Sequence, residues 1–189
     1  RCLKEFYSLP PEWVREIADK FLDYFRPHKQ KVIKFYYDRS GNNYGRSKQS
    51  MALQMKEAIE KDGTGAKTGW RVQLMSLGQG NIPMADEYIF MRELMSGHNP
   101  LLPELQIDAI HCRHLKAALE LARTTVDAMK RVGKDKSAEK SSDPKRLVES
   151  TNFTDAFKYA LMRKTWADIV KRGITSGLPG GAVGDVSVR

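Results

Sequence analysis

The 189-residue sequence has only two cysteines, Cys2 and Cys112, and no long uninterrupted apolar run. Two cysteines are too few for a disulfide framework, so a reducing compartment is expected. A bilayer-spanning helix needs about 20 apolar residues in succession, so no transmembrane helix is predicted. The N-terminus lacks the basic and then apolar pattern of a secretion signal. A secreted or membrane-spanning protein is therefore not expected.

Acidic residues are also scarce relative to basic ones. The chain has 23 Asp and Glu against 32 Lys and Arg, a net charge of +9. Residues 113–146 hold ten Lys and Arg against five Asp and Glu. This distribution favours a polyanionic partner and suits an enzyme that acts on phosphodiesters. The alternative is a solvated helix face followed by a flexible loop, and charge alone does not choose between the two.

The order of apolar runs and amphipathic stretches predicts an α/β domain over residues 1–172 and a flexible glycine-rich tail over residues 173–189. Because the second strand is apolar nearly throughout, it is expected to be central and buried on both faces. The segment Gly133–Lys145 is predicted to be a loop or hairpin. The predicted strands are Leu3–Leu9, Val32–Tyr37, Trp70–Leu77 and a brief one at Leu105–Ile107; the predicted helices are Glu12–Phe25, Ser47–Lys61, Ala85–Met95, Ala109–Arg131 and Phe153–Lys171.

Two aspartates stand where metal chemistry is plausible. Asp38 ends the second strand in a turn sequence, and Asp155 lies early in the last helix. Each alone has an ordinary structural explanation, a turn residue for Asp38 and a complement to the helix dipole for Asp155. Together they are the kind of hard oxygen ligands that bind Mg²⁺ or Mn²⁺ for two-metal phosphodiester hydrolysis.

Two other patterns do not support a site. Residues 110–114 contain His111, Cys112 and His114 inside a helical stripe, without the second cysteine pair of a zinc site. We expect Cys112 to be packed and the histidines to be exposed or hydrogen-bonded. The pair of glycines at 78 and 80 lacks the lysine and helix of a phosphate-binding loop.

Four segments of the chain match motifs of one known family: Phe35–Gly41, Gly69–Val72, Lys134–Lys140 and Thr154–Tyr159. On these segments, and over residues 3 to 165, the chain resembles the C-terminal nuclease domain of phage terminase large subunits. The resemblance implies a ribonuclease H-like mixed sheet flanked by helices, two divalent metals, and double-stranded DNA as substrate. It also implies a portal and a small terminase subunit as partners, in a viral protein acting in the host cytoplasm.

The resemblance assigns roles but leaves the first catalytic acid unplaced. Asp38 and Asp155 become catalytic metal ligands, and Lys134, Lys136 and Lys140 become DNA contacts. In the family's strand order, Leu3–Leu9 resembles the third strand and Asp38 follows the fourth. The first strands are then expected upstream of this sequence, which begins at Arg1 without methionine. In the less favoured register Asp38 is the first acid, and the set is completed by Asp86, Glu87 or Asp108.

Two alternatives to the terminase nuclease remain open at this stage. One is a module that binds nucleic acid or a portal without cutting. The other is a different ribonuclease H-like enzyme, such as a junction resolvase or a transposase core.

Overall fold

The computed structural model describes residues 1–8, 14–39, 50–80, 82–121, 124–126, 132–135, 137, 143 and 152–162. The chain separates into two compact units, the first formed by Arg1–Asn81 with Gln106–Leu161 and the second by Ile82–Leu105 with Met162–Arg189. The described elements are α1 (Val14–Tyr24), β1 (Val32–Phe35), α2 (Met51–Glu60), β2 (Arg71–Leu74), α3 (Met84–Ser96), α4 (Arg113–Glu120), β3 (Thr124–Val126), β4 (Val132–Lys134) and α5 (Asn152–Leu161).

The first unit is built on a parallel pair of strands. β1 and β2 pair in register from Val32 opposite Arg71 to Phe35 opposite Leu74, and α2 makes the connection between them. α2 begins at a cap in which the Ser50 hydroxyl accepts a hydrogen bond from the Leu53 N–H. The predicted β-α-β unit with parallel strands is confirmed, and so is the mixed α/β class.

Helices α1 and α2 cover one face of this pair. The buried residues of the core are Ala18, Ile59, Trp70 and Val72, with partly buried apolar side chains around them, including those of Phe21, Phe25, Ile33, Phe35, Met55 and Leu74. On the other face Lys34 is exposed and the side chain of Val32 is 46% exposed. The prediction that β1 is buried on both faces is therefore wrong, because packed helices cover only alternate residues of the strand.

Two other predicted elements differ in the structure. Within residues 3–8 of the predicted strand Leu3–Leu9 no strand forms, and Cys2 makes an isolated parallel bridge with Ile107. That bridge is also all that forms of the predicted strand Leu105–Ile107. Since a strand needs a continuous ladder of hydrogen-bonded partners, one bridge does not make either segment a strand.

The predicted helix Ala109–Arg131 is shorter than expected. α4 spans Arg113–Glu120, and the chain then enters an antiparallel hairpin in which Thr125 of β3 lies opposite Gly133 of β4. The β-branched residues of β3 favour a strand over a continued helix. Gly133 and Lys134 of the predicted loop or hairpin thus belong to a hairpin that begins upstream of it.

In the second unit, α3 ends at Gly97, which adopts a left-handed conformation with φ of 66°. Phe90 and Leu94 of α3 are buried, and so is Leu102 in the segment that follows the helix. The acidic residues of the first turn of α3 are Asp86 and Glu87. Among the described residues of the whole chain, no helix is long and apolar enough to cross a membrane.

Candidate functional site

Asp38 lies beyond the carboxyl end of β1, on a segment that is tied to the segment following β2. The Met75 N–H donates to the Phe35 carbonyl at 2.9 Å, and the Tyr37 N–H donates to the buried Ser76 hydroxyl at 3.1 Å. Just beyond, the Arg39 guanidinium donates to the Gly80 carbonyl at 3.2 Å. These bonds hold Asp38, which is exposed, at the edge where parallel sheets bind their ligands.

The neighbour of Asp38 faces a different environment. The Tyr37 ring stacks on the Phe35 ring, with their centroids 5.8 Å apart, and burial raises the pKa of the Tyr37 hydroxyl. Tyr37 thus packs on the strand that precedes it, while the Asp38 carboxylate next to it reaches solvent. An exposed carboxylate at this position is accessible to a cation or to a ligand that carries one.

Asp155 is on α5, in its first turn, as the sequence predicted. Its side chain is 17% exposed and forms an ion pair with Lys158, whose Nζ lies 3.4 Å from Asp155 Oδ1. The same ammonium group lies over the ring of Tyr159, 4.9 Å from its centroid. The Asp155 carboxylate is half-buried and already neutralised by a neighbouring cation.

α5 is positioned by an aromatic stack that sequence analysis missed. The ring of His114 on α4 stacks on Phe153 with centroids 5.4 Å apart, and Tyr7 meets His114 edge-on at 4.6 Å. The Glu5 carboxylate accepts a hydrogen bond from, or shares a proton with, His114 Nδ1 at 2.5 Å. No spacing signal predicts this group, since Glu5 and His114 are 109 residues apart.

The side chains of His111, Cys112 and His114 have the environments that the sequence predicted, packed for the cysteine and exposed or hydrogen-bonded for the histidines. Cys112 is fully buried, His111 is exposed and hydrogen-bonded to Asp108, and His114 is buried against Glu5. Within the described ranges, no group of three or more His, Cys, Asp or Glu side chains is arranged to hold a metal ion.

The residues of the less favoured register have other environments. Asp108 is hydrogen-bonded to the His111 side chain and to the His111 backbone N–H. These two hydrogen bonds, the side-chain one first, lower the pKa of the Asp108 carboxyl to about 2. Asp108 therefore serves as a local cap for the turn before α4. Asp86 and Glu87 belong to α3 of the second unit.

The predicted DNA-binding lysines lie largely outside the residues that the structure describes. Lys134 is the last residue of β4, and its side chain is outside the described residues, as are Lys136 and Lys140 entirely. In the same region the Ser137 N–H donates to Asp135 Oδ1 at 2.9 Å, a local turn contact.

Comparisons of the chain with protein-family models, with curated proteins and with solved structures gave no match. A functional proposal therefore depends on the geometry of the described residues and on the resemblance of the sequence to terminase nuclease domains.

Proposed function

We propose that this chain is the metal-dependent endonuclease domain of a viral DNA-packaging terminase, with a ribonuclease H-like fold. It cuts double-stranded concatemeric DNA by two-metal phosphodiester hydrolysis, and Asp38 and Asp155 are ligands of Mg²⁺ or Mn²⁺. The observation that carries the proposal is the parallel β1-α2-β2 unit with an exposed aspartate just past the carboxyl end of β1. In the proposed fold, this unit corresponds to the fourth strand, the helix after it and the fifth strand.

The two outer edges of this sheet differ in a way that supports the assignment. At β2, the Val72 N–H donates to Glu60 Oε1 at 2.8 Å, and Lys56 Nζ donates to the Val72 carbonyl at 2.9 Å. Both side chains come from α2 and pair with each other. The outward N–H and carbonyl of Val72 in β2 are therefore satisfied without a further strand.

At β1 the outer edge has no strand partner among the described residues. The Arg71 N–H donates to the Lys31 carbonyl and the Met75 N–H to that of Phe35, so the backbone groups of Val32 and Lys34 between them face the other way. Within the part of the chain that the structure describes, no strand pairs with that side of β1. The proposed fold has its fifth strand at the edge and places the first strand, which carries the first acid, beside the fourth.

The ligand set is suitable in chemistry and incomplete in number. Carboxylate oxygens are the donors that Mg²⁺ and Mn²⁺ prefer. Two carboxylates do not neutralise two dications, and Asp155 must also exchange its Lys158 partner for a metal. We therefore assign to Asp38 and Asp155 only the binding of one metal ion. Together with a second ion, it would activate water and stabilise the leaving oxygen.

The proposal includes partners as well as a substrate. Lys134, Lys136 and Lys140 contact the DNA backbone or order the loop near the cut, and the domain works with a portal and a small terminase subunit. The excess of basic residues in segment 113–146 supports an anionic substrate. Its place of action is the host cytoplasm.

The test is incubation of supercoiled plasmid with this chain and Mn²⁺, beside Asp38→Asn and Asp155→Asn variants. We expect cleavage that is weak, because two carboxylates hold two dications loosely, and that is lost in both variants. Binding of Mn²⁺, followed by its paramagnetic broadening of nearby resonances, gives a readout besides cleavage. Equal cleavage by the Asp155→Asn variant would remove Asp155 from the mechanism.

The second candidate is a module that docks DNA or a portal and cuts nothing. The ion pair between Asp155 and Lys158 favours it, because this i,i+3 pair is an ordinary helix contact. DNA binding without Mn²⁺ binding or cleavage would identify this function. Preference for branched over linear DNA would instead identify a resolvase.

A further inference from the structure

The only two cysteines of the sequence, 110 positions apart, meet in the first unit. Cys2 Sγ and Cys112 Sγ are 3.5 Å apart, and neither forms a disulfide. Cys112 is fully buried at the start of α4, whereas Cys2 is partly exposed. A disulfide needs the sulfurs at about 2.05 Å, so the thiols must approach by about a further 1.5 Å.

The backbone holds both cysteines in place. The Cys2 N–H donates to the Gln106 carbonyl at 2.7 Å, and the Asp108 N–H donates to the Cys2 carbonyl at 2.9 Å. The Cys112 N–H donates in turn to the Asp108 carbonyl at 2.9 Å. Asp108 is therefore bonded to both cysteines, and the two sulfurs face each other because the main chain places them there.

The N-terminal segment is anchored at a second point close by. The Glu5 N–H donates to the His111 carbonyl, and the Glu5 carboxylate binds the first turn of α4. Contacts on both sides of the cysteine pair limit how far the two thiols can move apart.

We propose that Cys2 and Cys112 are the site of a reversible intramolecular disulfide, formed by exchange with a low-molecular-weight disulfide such as oxidised glutathione. The Cys2 thiolate attacks one sulfur of the reagent, and one thiol leaves. The Cys112 sulfur then attacks Cys2 Sγ of the mixed disulfide, loses its proton to water, and releases the second thiol. One reagent disulfide is reduced to two thiols, and two protein thiols become one disulfide.

The order of these steps follows from the environments of the two thiols. Burial, together with the adjacent Cys2 thiol, raises the pKa of Cys112 to about 12. Cys112 is therefore a thiol rather than a thiolate at neutral pH and is shielded from reagents in solution. Cys2 reacts first, and Cys112 reacts only with the sulfur that lies beside it.

The disulfide would change the protein in a measurable way. It would close a loop of 110 residues between the N-terminal segment and α4. A bond that closes a long loop restricts the unfolded chain, so the oxidised form should melt about 5 °C or more above the reduced form.

The test treats the folded chain with oxidised glutathione and reads intact mass, thiol content and melting temperature. The expected product is two hydrogen atoms lighter than the reduced chain, titrates no thiol, and reverts with dithiothreitol. Cys112→Ala should stop at a stable glutathione adduct on Cys2, and Cys2→Ser should react far more slowly than wild type while folded. A wild-type product that keeps one glutathione on Cys2, or one that melts no higher than the reduced form, would overturn the proposal.

Discussion

Glu5 Oε1 lies 2.5 Å from His114 Nδ1, and the Glu5 carboxylate also accepts the backbone N–H groups of His114 and Leu115. The residue at the cap position of α4, Cys112, makes no side-chain cap bond. A carboxylate from the N-terminal segment thus does for α4 what Ser50 does locally for α2. It also orients the ring on which Phe153 of α5 stacks.

Replacing Glu5 by glutamine should destabilise the fold. The side chains of Glu5 and His114 are 11% and 10% exposed. An amide at position 5 accepts from fewer of the three donors, so it leaves a buried donor without a hydrogen-bond partner. We expect a loss of about 2–4 kcal/mol in the free energy of unfolding, measured with urea. Glu104→Gln, at an exposed position, is the matched control. A loss no larger than the control's would show that the carboxylate is not needed.

Asp108 should make stability depend on acid pH. Hydrogen bonds from His111 lower the folded-state pKa to about 2 from the ordinary value of 3.8. Its contribution is therefore complete above pH 3.8 and is lost as the pH falls towards 2. Urea midpoints between these limits should fall less steeply for Asp108→Asn than for wild type. Parallel pH profiles of the two proteins would contradict this assignment.

Glu60 should matter more than its neighbour Glu57 on the same helix. Burial acts to raise the pKa of Glu60, but hydrogen bonds from Lys56 and the Val72 N–H outweigh it and lower the pKa. Glu60→Ala leaves the outward Val72 N–H of β2 without this acceptor and should cost about 1–2 kcal/mol. Glu57→Ala removes a carboxylate that is 52% exposed and pairs with Lys61, and an exposed pair is typically worth less than about 1 kcal/mol. Equal urea midpoints for the two variants would show that the hydrogen bond between Glu60 and the Val72 N–H is unimportant.

The basic segment should set the salt dependence of DNA binding. If Lys134, Lys136 and Lys140 each meet a phosphate, the triple alanine variant should flatten the plot of log affinity against log salt by about 0.9 per lost contact. Its control is a triple variant at Lys29, Lys61 and Lys67, all exposed and all outside residues 113–146. An identical slope for wild type and the triple variant would mean that these lysines are only solvated.

The local elements were more predictable than the contacts between them. α1, α2 and the parallel strands follow from apolar periodicity, and Asp38 and Asp155 lie at a strand end and in a first helical turn as expected. The predicted helix that contains α4 was too long. Its apolar spacing continues past Glu120, but the β-branched residues at 124–126 form β3 instead.

The long-range pairs had no local signal. Glu5 with His114 and Cys2 with Cys112 join residues about a hundred positions apart, and only the folded chain brings them together. The one-sided burial of β1 was equally hidden. The apolar residues of β1 suit a strand that is covered on both faces, but only Ile33 and Phe35 pack against the core beneath the helices.

The outer edge of β1, which no described strand covers, should also affect how the purified protein behaves at high concentration. An unpaired strand edge can template non-native pairing with another molecule, and Lys34 places an exposed positive charge in the middle of this edge. Repulsion between such charges opposes the approach of two copies, and salt screens that repulsion. Aggregation should therefore increase with ionic strength, so a storage buffer low in salt protects the molecule.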